Sequence, residues 1–203
     1  MKKMRLTAVV VMLAIVTAVS AQMSLGIKGG VNMSNLVYDD DVNDKNPKIG
    51  FNIGLAADYE FAPSVALQTG LFFTTKGYKF DSESVDYTEN LMYVQLPVHL
   101  AYKIDVMPGT RVVLHAGPYA AYGVGGSRKL DVGELGSMDV DKIFGDGAFQ
   151  YKPFDAGLGI GVGAEFGAIL VDLGWDMGLV NISNNDNGSV KNQNAYLSLG
   201  YKF

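Results

Sequence analysis

Apolar and polar residues alternate with a period of two along most of the chain after residue 21, which is the pattern of half-buried β-strands. In the run from Phe51 to Tyr59, every odd-numbered residue is apolar and most even-numbered ones are small or polar. The runs from Phe154 to Phe166 and from Ile169 to Leu179 repeat this alternation. No segment here approaches the roughly 18 uninterrupted apolar residues of a membrane helix, so the chain is predicted to be all-β.

Gly, Pro, Asn and Asp clusters divide the chain into eight such runs. The predicted strands cover residues 24–34, 48–60, 64–79, 88–103, 110–126, 150–166, 168–182 and 193–203. Short connections at 61–63, 104–109 and 167 alternate with long ones at 35–47, 80–87, 127–149 and 183–192. Outer-membrane barrels join their strands in this way, with short periplasmic turns, longer outer loops and both termini in the periplasm. We therefore predict an eight-stranded antiparallel up-and-down transmembrane β-barrel.

The two faces of the predicted strands differ in chemistry. Aromatic residues lie near strand ends on the apolar face, where interfacial girdles are expected: Tyr59, Phe73, Tyr102, Tyr122, Phe154, Phe166 and Tyr201. The opposite face combines small residues with polar or charged ones: Lys28, Asp58, Gln68, His99, Arg111, His115, Asp155, Glu165, Asp172 and Asp176. An eight-stranded barrel is just wide enough for side chains to fill, so these groups are expected to pair into a polar plug.

The N-terminus has the features of a secretory signal peptide. Lys2, Lys3 and Arg5 precede an apolar run that ends near Val19, and Ala21 supplies a small residue for cleavage before Gln22. The expected organisation is a signal peptide at 1–21 and an outer-membrane barrel domain at 22–203. A retained anchor helix is the alternative, although the apolar run is short for a bilayer.

Charge and cysteine content exclude several classes of function. Without the signal peptide, 13 basic residues remain against 21 acidic ones, a net charge of 13 − 21 = −8, which argues against nucleic acid as a partner. The chain has no Cys. Disulfides, thiol catalysis and cysteine-based metal sites are therefore excluded.

Several segments of the mature chain resemble one known family. They are Gly26-Ile27-Lys28-Gly29-Gly30-Val31-Asn32, Tyr93-Val94-Gln95-Leu96-Pro97-Val98, Ala116-Gly117-Pro118-Tyr119, Asp155-Ala156-Gly157-Leu158-Gly159-Ile160-Gly161 and the closing Tyr196–Phe203. In this order they are similar to the small outer-membrane β-barrels grouped as PorT-like or porin-family proteins. The resemblance implies the fold, the outer membrane, and recognition of the last strand by the barrel-assembly machinery. The chain departs from the family at Gly174-Trp175, where members often carry an Arg-Tyr pair.

Two motifs have both a chemical and a structural interpretation. Gly159-x-Gly161-x-x-Ala164 matches a degenerate dinucleotide fingerprint, but no helix pattern follows it, so we expect these glycines to clear lumen space for bulky side chains. His99 and His115 fall almost opposite each other on a predicted hairpin. They could bind zinc or perform acid–base chemistry, but a third ligand is not identifiable, and a hydrogen-bonded lumen pair is preferred.

Two outer connections are candidate contact segments. Asp39-Asp40-Asp41, with Asp44, could bind divalent cations, but the run lacks the ligand spacing of a calcium loop, so a solvated loop is expected. The connection 127–149 is the longest and is the best candidate for contact with a surface or envelope partner. A surface loop without a dedicated ligand is the alternative.

The sequence leaves the specific function open. We expect a nonenzymatic, monomeric envelope protein whose partners are outer-membrane lipid, the assembly machinery and a surface or envelope contact through 127–149. No catalytic, cofactor-binding or metal-binding residue is assigned. A small-solute channel is the second functional class and a barrel enzyme the third. A lipocalin-like soluble binder is the alternative fold, in which the apolar face turns inward.

Overall fold

A computed structural model describes residues 22–38, 46–82, 85–132, 136–147, 150–185 and 188–203. Its strands are β1 Met23–Tyr38, β2 Asn46–Ala62, β3 Val65–Ser82, β4 Val85–Met107, β5 Thr110–Asp131, β6 Ser137–Val140, β7 Phe154–Phe166, β8 Ile169–Gly178 and β9 Val190–Lys202. Within these ranges, no helix is long and apolar enough to cross a membrane. The predicted signal peptide and the acidic run at 39–44 lie outside the described residues.

Eight of these strands close into a ring. They pair antiparallel in the order β1-β2-β3-β4-β5-β7-β8-β9, and β9 pairs back with β1. Strand β6 lies outside the ring and pairs with the outer end of β5. The prediction of an eight-stranded up-and-down barrel is thus confirmed, and ring closure pairs the strand edges as a hydrocarbon environment requires.

One end of the barrel carries short turns. The connections at 63–64, 108–109 and 167–168 have two residues each. Gly109 and Gly167 have φ angles of 77° and 59°, a left-handed conformation that favours glycine. The first and last strands begin and end here, because Met23 pairs with Tyr59 and Lys202 with Gly26. We call it the turn end and the opposite end the loop end.

The loop end differs from the sequence prediction in several places. The predicted loop 80–87 is wrong: β3 and β4 continue to Ser82 and Val85, and Phe80 pairs with Tyr87. Strand β5 similarly extends to Asp131 and pairs with β6 inside the predicted connection 127–149. The polar residues in these extensions are typical of loops. Backbone pairing nevertheless continues through them, because strands beyond the membrane do not need an apolar outward face. Conversely, residues 150–153 and 179–182, predicted as strand ends, lie outside the barrel strands.

The apolar face of the sheet points outward. Leu55, Ile160 and Leu173 are each more than half exposed, and the predicted aromatic residues face the same way. Twelve residue steps separate the outward rings of Phe154 and Phe166. At about 3.3 Å per residue and a strand tilt of about 40°, the two rings lie about 30 Å apart along the barrel axis. This distance equals the thickness of the hydrocarbon core of a bilayer, about 30 Å. This orientation excludes the lipocalin-like alternative, in which the apolar face lines the lumen.

Candidate functional site

The lumen collects the charged and polar side chains and is the candidate site of this protein. All ten inward residues predicted from the sequence lie there, and most of them pair with one another as expected. They fall into three levels between the turn end and the loop end. Each level is formed by inward positions of several strands, because strand tilt brings residues distant in sequence to the same height.

A network of six charged side chains occupies the turn end and is called the turn-end cluster: Asp58, Glu60, Lys103, Arg111, Glu165 and Lys202. The Lys103 Nζ atom lies 2.8 Å from Asp58, 2.6 Å from Glu60 and 2.9 Å from Glu165. Arg111 Nη2 lies 2.8 Å from Glu60 and 2.6 Å from Glu165. Three cations thus balance three carboxylates, so the desolvation cost of burying them is offset by mutual pairing.

The middle of the lumen holds a chain of four linked side chains. Lys28 Nζ donates to Asp172 Oδ2 at 2.9 Å, and His115 Nε2 lies 2.8 Å from Asp172 Oδ1. His115 Nδ1 lies 3.0 Å from His99 Nδ1, and the two rings stack at 14°. The predicted hydrogen-bonded histidine pair is therefore confirmed. Among the described residues, no group of three His, Cys, Asp or Glu side chains comes together around a metal position.

A cavity of about 90 Å³ lies beside this chain. Its lining extends from Asp58 and Lys202 near the turn end to Thr74 and Asn194 nearer the loop end, and it includes His99. A polar cavity of this size has room for several water molecules. The middle of the lumen thus keeps open space, in contrast to the loop-end level, where buried side chains fill it.

Five buried side chains seal the lumen nearer the loop end and are called the loop-end plug: Lys76, Tyr93, Tyr119, Asp155 and Asn192. Lys76 Nζ lies 3.3 Å from Asp155 Oδ2, and both side chains are 0% exposed. The same ammonium lies 4.6 Å from the centre of the Tyr119 ring and 5.3 Å from that of Tyr93. Asn192 donates to Asp155 Oδ2 at 3.0 Å. The plug therefore combines an ion pair with cation–π contacts.

A second ionic group lies above the plug. Arg128 Nη2 lies 2.7 Å from Glu89 Oε1, and the Tyr151 hydroxyl donates to Glu89 Oε2 at 3.2 Å. Glu89 is 0% exposed. Burial, together with the nearby Glu89 carboxylate, raises the pKa of Tyr151, so this phenol remains protonated and available as a donor.

The connection 127–149 consists of two parts with different environments. The β5–β6 hairpin, described over residues 128–132 and 136–140, lies at the loop end, and the four residues of β6 are exposed. Ile143 and Phe144 instead fold back into the barrel mouth: Ile143 is 2% exposed, and the Phe144 ring lies 5.3 Å from that of Tyr93. The Phe144 ring occupies the space where a Cβ on Gly123 would lie. The first part can contact a partner, whereas the second closes the mouth.

Glycines on β7 make room for the lumen side chains, as predicted. A Cβ on Gly159 would lie 2.8 Å from His99 Nε2, and one on Gly161 would clash with the His115 ring. After Gly161 the chain continues in β7 and turns into β8, so the helix of a dinucleotide site does not follow. Gly174 similarly leaves space for the Tyr196 ring, whereas Trp175 faces outward.

The comparisons with known proteins agree with this architecture. A family model described as "Outer membrane protein beta-barrel domain" matches residues 20–184. The chain belongs to this outer-membrane β-barrel family. It is an outer-membrane β-barrel protein, located in the outer membrane. None of the curated proteins compared with the chain matches it.

Solved structures similar to this family member are themselves outer-membrane proteins. The attachment invasion locus protein Ail of Yersinia pestis is 20% identical, with a TM-score of 0.44 over 90% of this chain and 99% of Ail. Neisserial surface protein A is 14% identical, with a TM-score of 0.48 over 88% of this chain and 97% of its own. A major outer membrane protein from Thermus thermophilus is 14% identical, with a TM-score of 0.49 over 89% of this chain and 99% of its own.

Sequence reasoning about this β-barrel missed several lumen residues. Lys76, Glu89, Tyr93 and Lys103 form ion pairs or ring contacts inside the lumen. Parity could have identified Glu89, Tyr93 and Lys103, which share the inward parity of His99 on β4. Lys76 could have been found in the same way, because it shares the inward parity of Gln68 on β3, which pairs with β4 in one unbroken register.

Proposed function

We propose that this outer-membrane β-barrel is a nonenzymatic, non-conducting anchor that holds outer segments at the cell surface and contributes to membrane stability. The observation that carries the proposal is the loop-end plug. Lys76 and Asp155 meet at the centre of the lumen with fully buried side chains, and aromatic rings surround them. A solute channel requires a continuous wet path, which this plug interrupts, so the channel alternative is not favoured.

The outer segment most available for contact is the β5–β6 hairpin. It continues the backbone pairing of a barrel strand, so it is held at a fixed position above the membrane. Met138 on β6 is 64% exposed. We propose that this hairpin makes the surface or envelope contact, whereas Ile143 and Phe144 serve the closure of the barrel.

Further proposals concern the surroundings of the barrel. The exposed apolar belt suits outer-membrane lipid, and the closed ring of strands supports a monomer. Strand β9 exposes Leu197, Leu199 and Tyr201 outward before the terminal Phe203, which supports recognition by the assembly machinery. The motifs from Gly26 to Gly161 support a PorT-like or porin-family membership within the wider family. No role with nucleic acid is proposed for this acidic chain.

The nonenzymatic assignment rests on how the chemically active side chains are used. His99 and His115 bond to each other, and His115 bonds to Asp172, inside the lumen and below the plug. A barrel enzyme acting on lipid would need such groups at one rim together with a nucleophile. The pair instead completes the packing of the lumen.

Single-channel recording in planar bilayers tests the proposal. We expect no conductance steps from the wild-type barrel, and steps from a variant carrying Lys76→Ala and Tyr93→Ala, in which the plug is reduced. The variant is the positive control for insertion, and a heat-dependent gel shift verifies that both proteins are folded. Wild-type conductance equal to that of the variant would contradict a closed lumen.

The proposed signal peptide has its own test. The protein extracted from the outer membrane is expected to begin at Gln22, because cleavage after Ala21 removes the apolar run. Intact-mass spectrometry reads the N-terminus directly. A mass that includes residues 1–21 would favour the retained anchor instead.

A further inference from the structure

Asp176 differs from the other buried carboxylates of the lumen. In the described part of the chain, five buried carboxylates have a cationic side chain within 4 Å: Asp58, Glu89, Asp155, Glu165 and Asp172. Asp176 is 2% exposed, and no Lys, Arg or His nitrogen of the described residues lies within that distance. A buried carboxylate without an opposite charge is costly, so Asp176 needs either a proton or a cation.

The surroundings of Asp176 offer oxygen ligands. Gln95 Nε2 donates to Asp176 Oδ2 at 2.9 Å, and the Oε1 atom of the same amide is buried without a hydrogen-bond partner. Thr74 Oγ1 is also buried and unpartnered. Thr74, Gln95 and Asp176 line the same cavity, and Asn194, the cross-strand neighbour of Asp176, lines it too. Two unpartnered oxygens therefore belong to residues that border the same cavity as the Asp176 carboxylate.

The ammonium group of Lys76 does not satisfy this need. Lys76 lies on the loop-end side of Asp176 but is paired with Asp155. Asp155, Asp176 and Lys76 together carry one more negative than positive charge. One additional positive charge in the cavity would balance this region.

We propose that Asp176, with the side-chain oxygens of Gln95 and Thr74, binds one small hard cation in the lumen. Carboxylate, amide and hydroxyl oxygens are the ligands that sodium- or calcium-like ions accept, with water completing the shell. This ligand set is unlike a zinc site, which uses His or Cys nitrogen and sulfur atoms. The ion ties β3, β4 and β8 together across the cavity in the middle of the lumen.

Calcium is the probe for this site, and terbium is its luminescent substitute. The folded barrel is stripped with a chelator in detergent and titrated with Ca²⁺ by calorimetry and with Tb³⁺ by luminescence excited through nearby tyrosines such as Tyr196, which lines the cavity. We expect one saturable site per chain. Asp176→Asn should weaken binding at least about tenfold, since even substitutions outside the first ligand shell cost about 10- to 100-fold.

A matched control separates the lumen from the acidic run at 39–41. The variant Asp39→Asn/Asp40→Asn/Asp41→Asn should bind with unchanged affinity. Ca²⁺ binding that survives in Asp176→Asn and disappears in this control would overturn the proposal. A wild-type barrel that binds neither Ca²⁺ nor Na⁺ in parallel titrations would overturn it as well. If Asp176→Asn does not fold, as judged by the heat-dependent gel shift, Gln95→Met is tested instead. This variant keeps the Asp176 carboxylate and removes the amide oxygen, so Ca²⁺ affinity should fall. An unchanged affinity would refute the ligands that we assign.

Discussion

Replacement of Lys76 by Met removes the cation at the centre of the loop-end plug. The substitution keeps an unbranched apolar side chain of similar length, so the main loss is the charge. Asp155, which is 0% exposed and lies 3.3 Å from the ammonium, is left with neutral donors from Tyr119 and Asn192. The contacts of the ammonium with the Tyr93 and Tyr119 rings disappear as well.

The expected cost follows from the burial of this pair. Removal of one partner of a buried ion pair typically costs about 3–5 kcal/mol, because the remaining charge is uncompensated. Loss of desolvated cation–π contacts costs up to about 2 kcal/mol and is partly included in that figure. We therefore expect Lys76→Met to lower the free energy of unfolding by about 4 kcal/mol. Asp155→Leu should cost a similar amount, because it leaves the ammonium unpaired.

The double variant makes the prediction specific to the pair. Replacing both charges by apolar groups leaves no unpaired ion, so Lys76→Met/Asp155→Leu should cost at least about 2 kcal/mol less than the sum of the single variants. Urea titrations in detergent, followed by the heat-dependent gel shift and by fluorescence of Trp175, the single Trp, give the three free energies. Costs that add within about 0.5 kcal/mol would refute the pairing that we assign.

Two further substitutions test the packing of the lumen and of the mouth. Gly161→Ala should destabilise the barrel by more than about 2 kcal/mol in the same titration, because the added Cβ meets the His115 ring. The control Gly29→Ala, whose Cβ would have no neighbour closer than 3.5 Å, should cost less than about 1 kcal/mol. Equal costs would contradict the close packing of His115 against Gly161. Phe144→Ala should expose the part of the outer connection that folds back into the mouth, so limited proteolysis of that segment should become several-fold faster. Met138→Ala, at a position that is 64% exposed, should leave the rate of this cleavage unchanged. A similar rate in the wild type and both variants would argue against a mouth closed by Phe144.

Local pattern was sufficient to predict the wall of the barrel. The period-two alternation placed Leu55 and Ile160 outward and Asp58 and Glu165 inward, because a strand sends successive side chains to opposite faces. It also placed His99 and His115 together, since a short turn fixes the register of the hairpin that carries them. These features can be predicted from sequence because each depends only on residues that are close together along the chain.

The partners across the lumen could not be predicted in the same way. Lys28 and Asp172 are 144 residues apart, and their contact depends on strand tilt and on the register of every strand pair between them. The Lys76–Asp155 pair depends likewise on the registers that connect β3 to β7, which include a shift between β4 and β5 at Met92 and Tyr93. The hairpin formed by β5 and β6 was interpreted as a loop, because Arg128 and Lys129 look solvated whether or not their backbone is paired.

Thiol labelling of intact cells tests the central claim most directly, that the barrel spans the outer membrane with its β5–β6 hairpin outside. Because the chain has no Cys, Ser137→Cys in the hairpin and Pro108→Cys in a turn each create a unique reactive site, and both positions are exposed. With a membrane-impermeant maleimide, we expect Ser137→Cys to react in intact cells and Pro108→Cys to react after the outer membrane is opened. Labelling of Pro108→Cys in intact cells, with Ser137→Cys protected until lysis, would contradict the account.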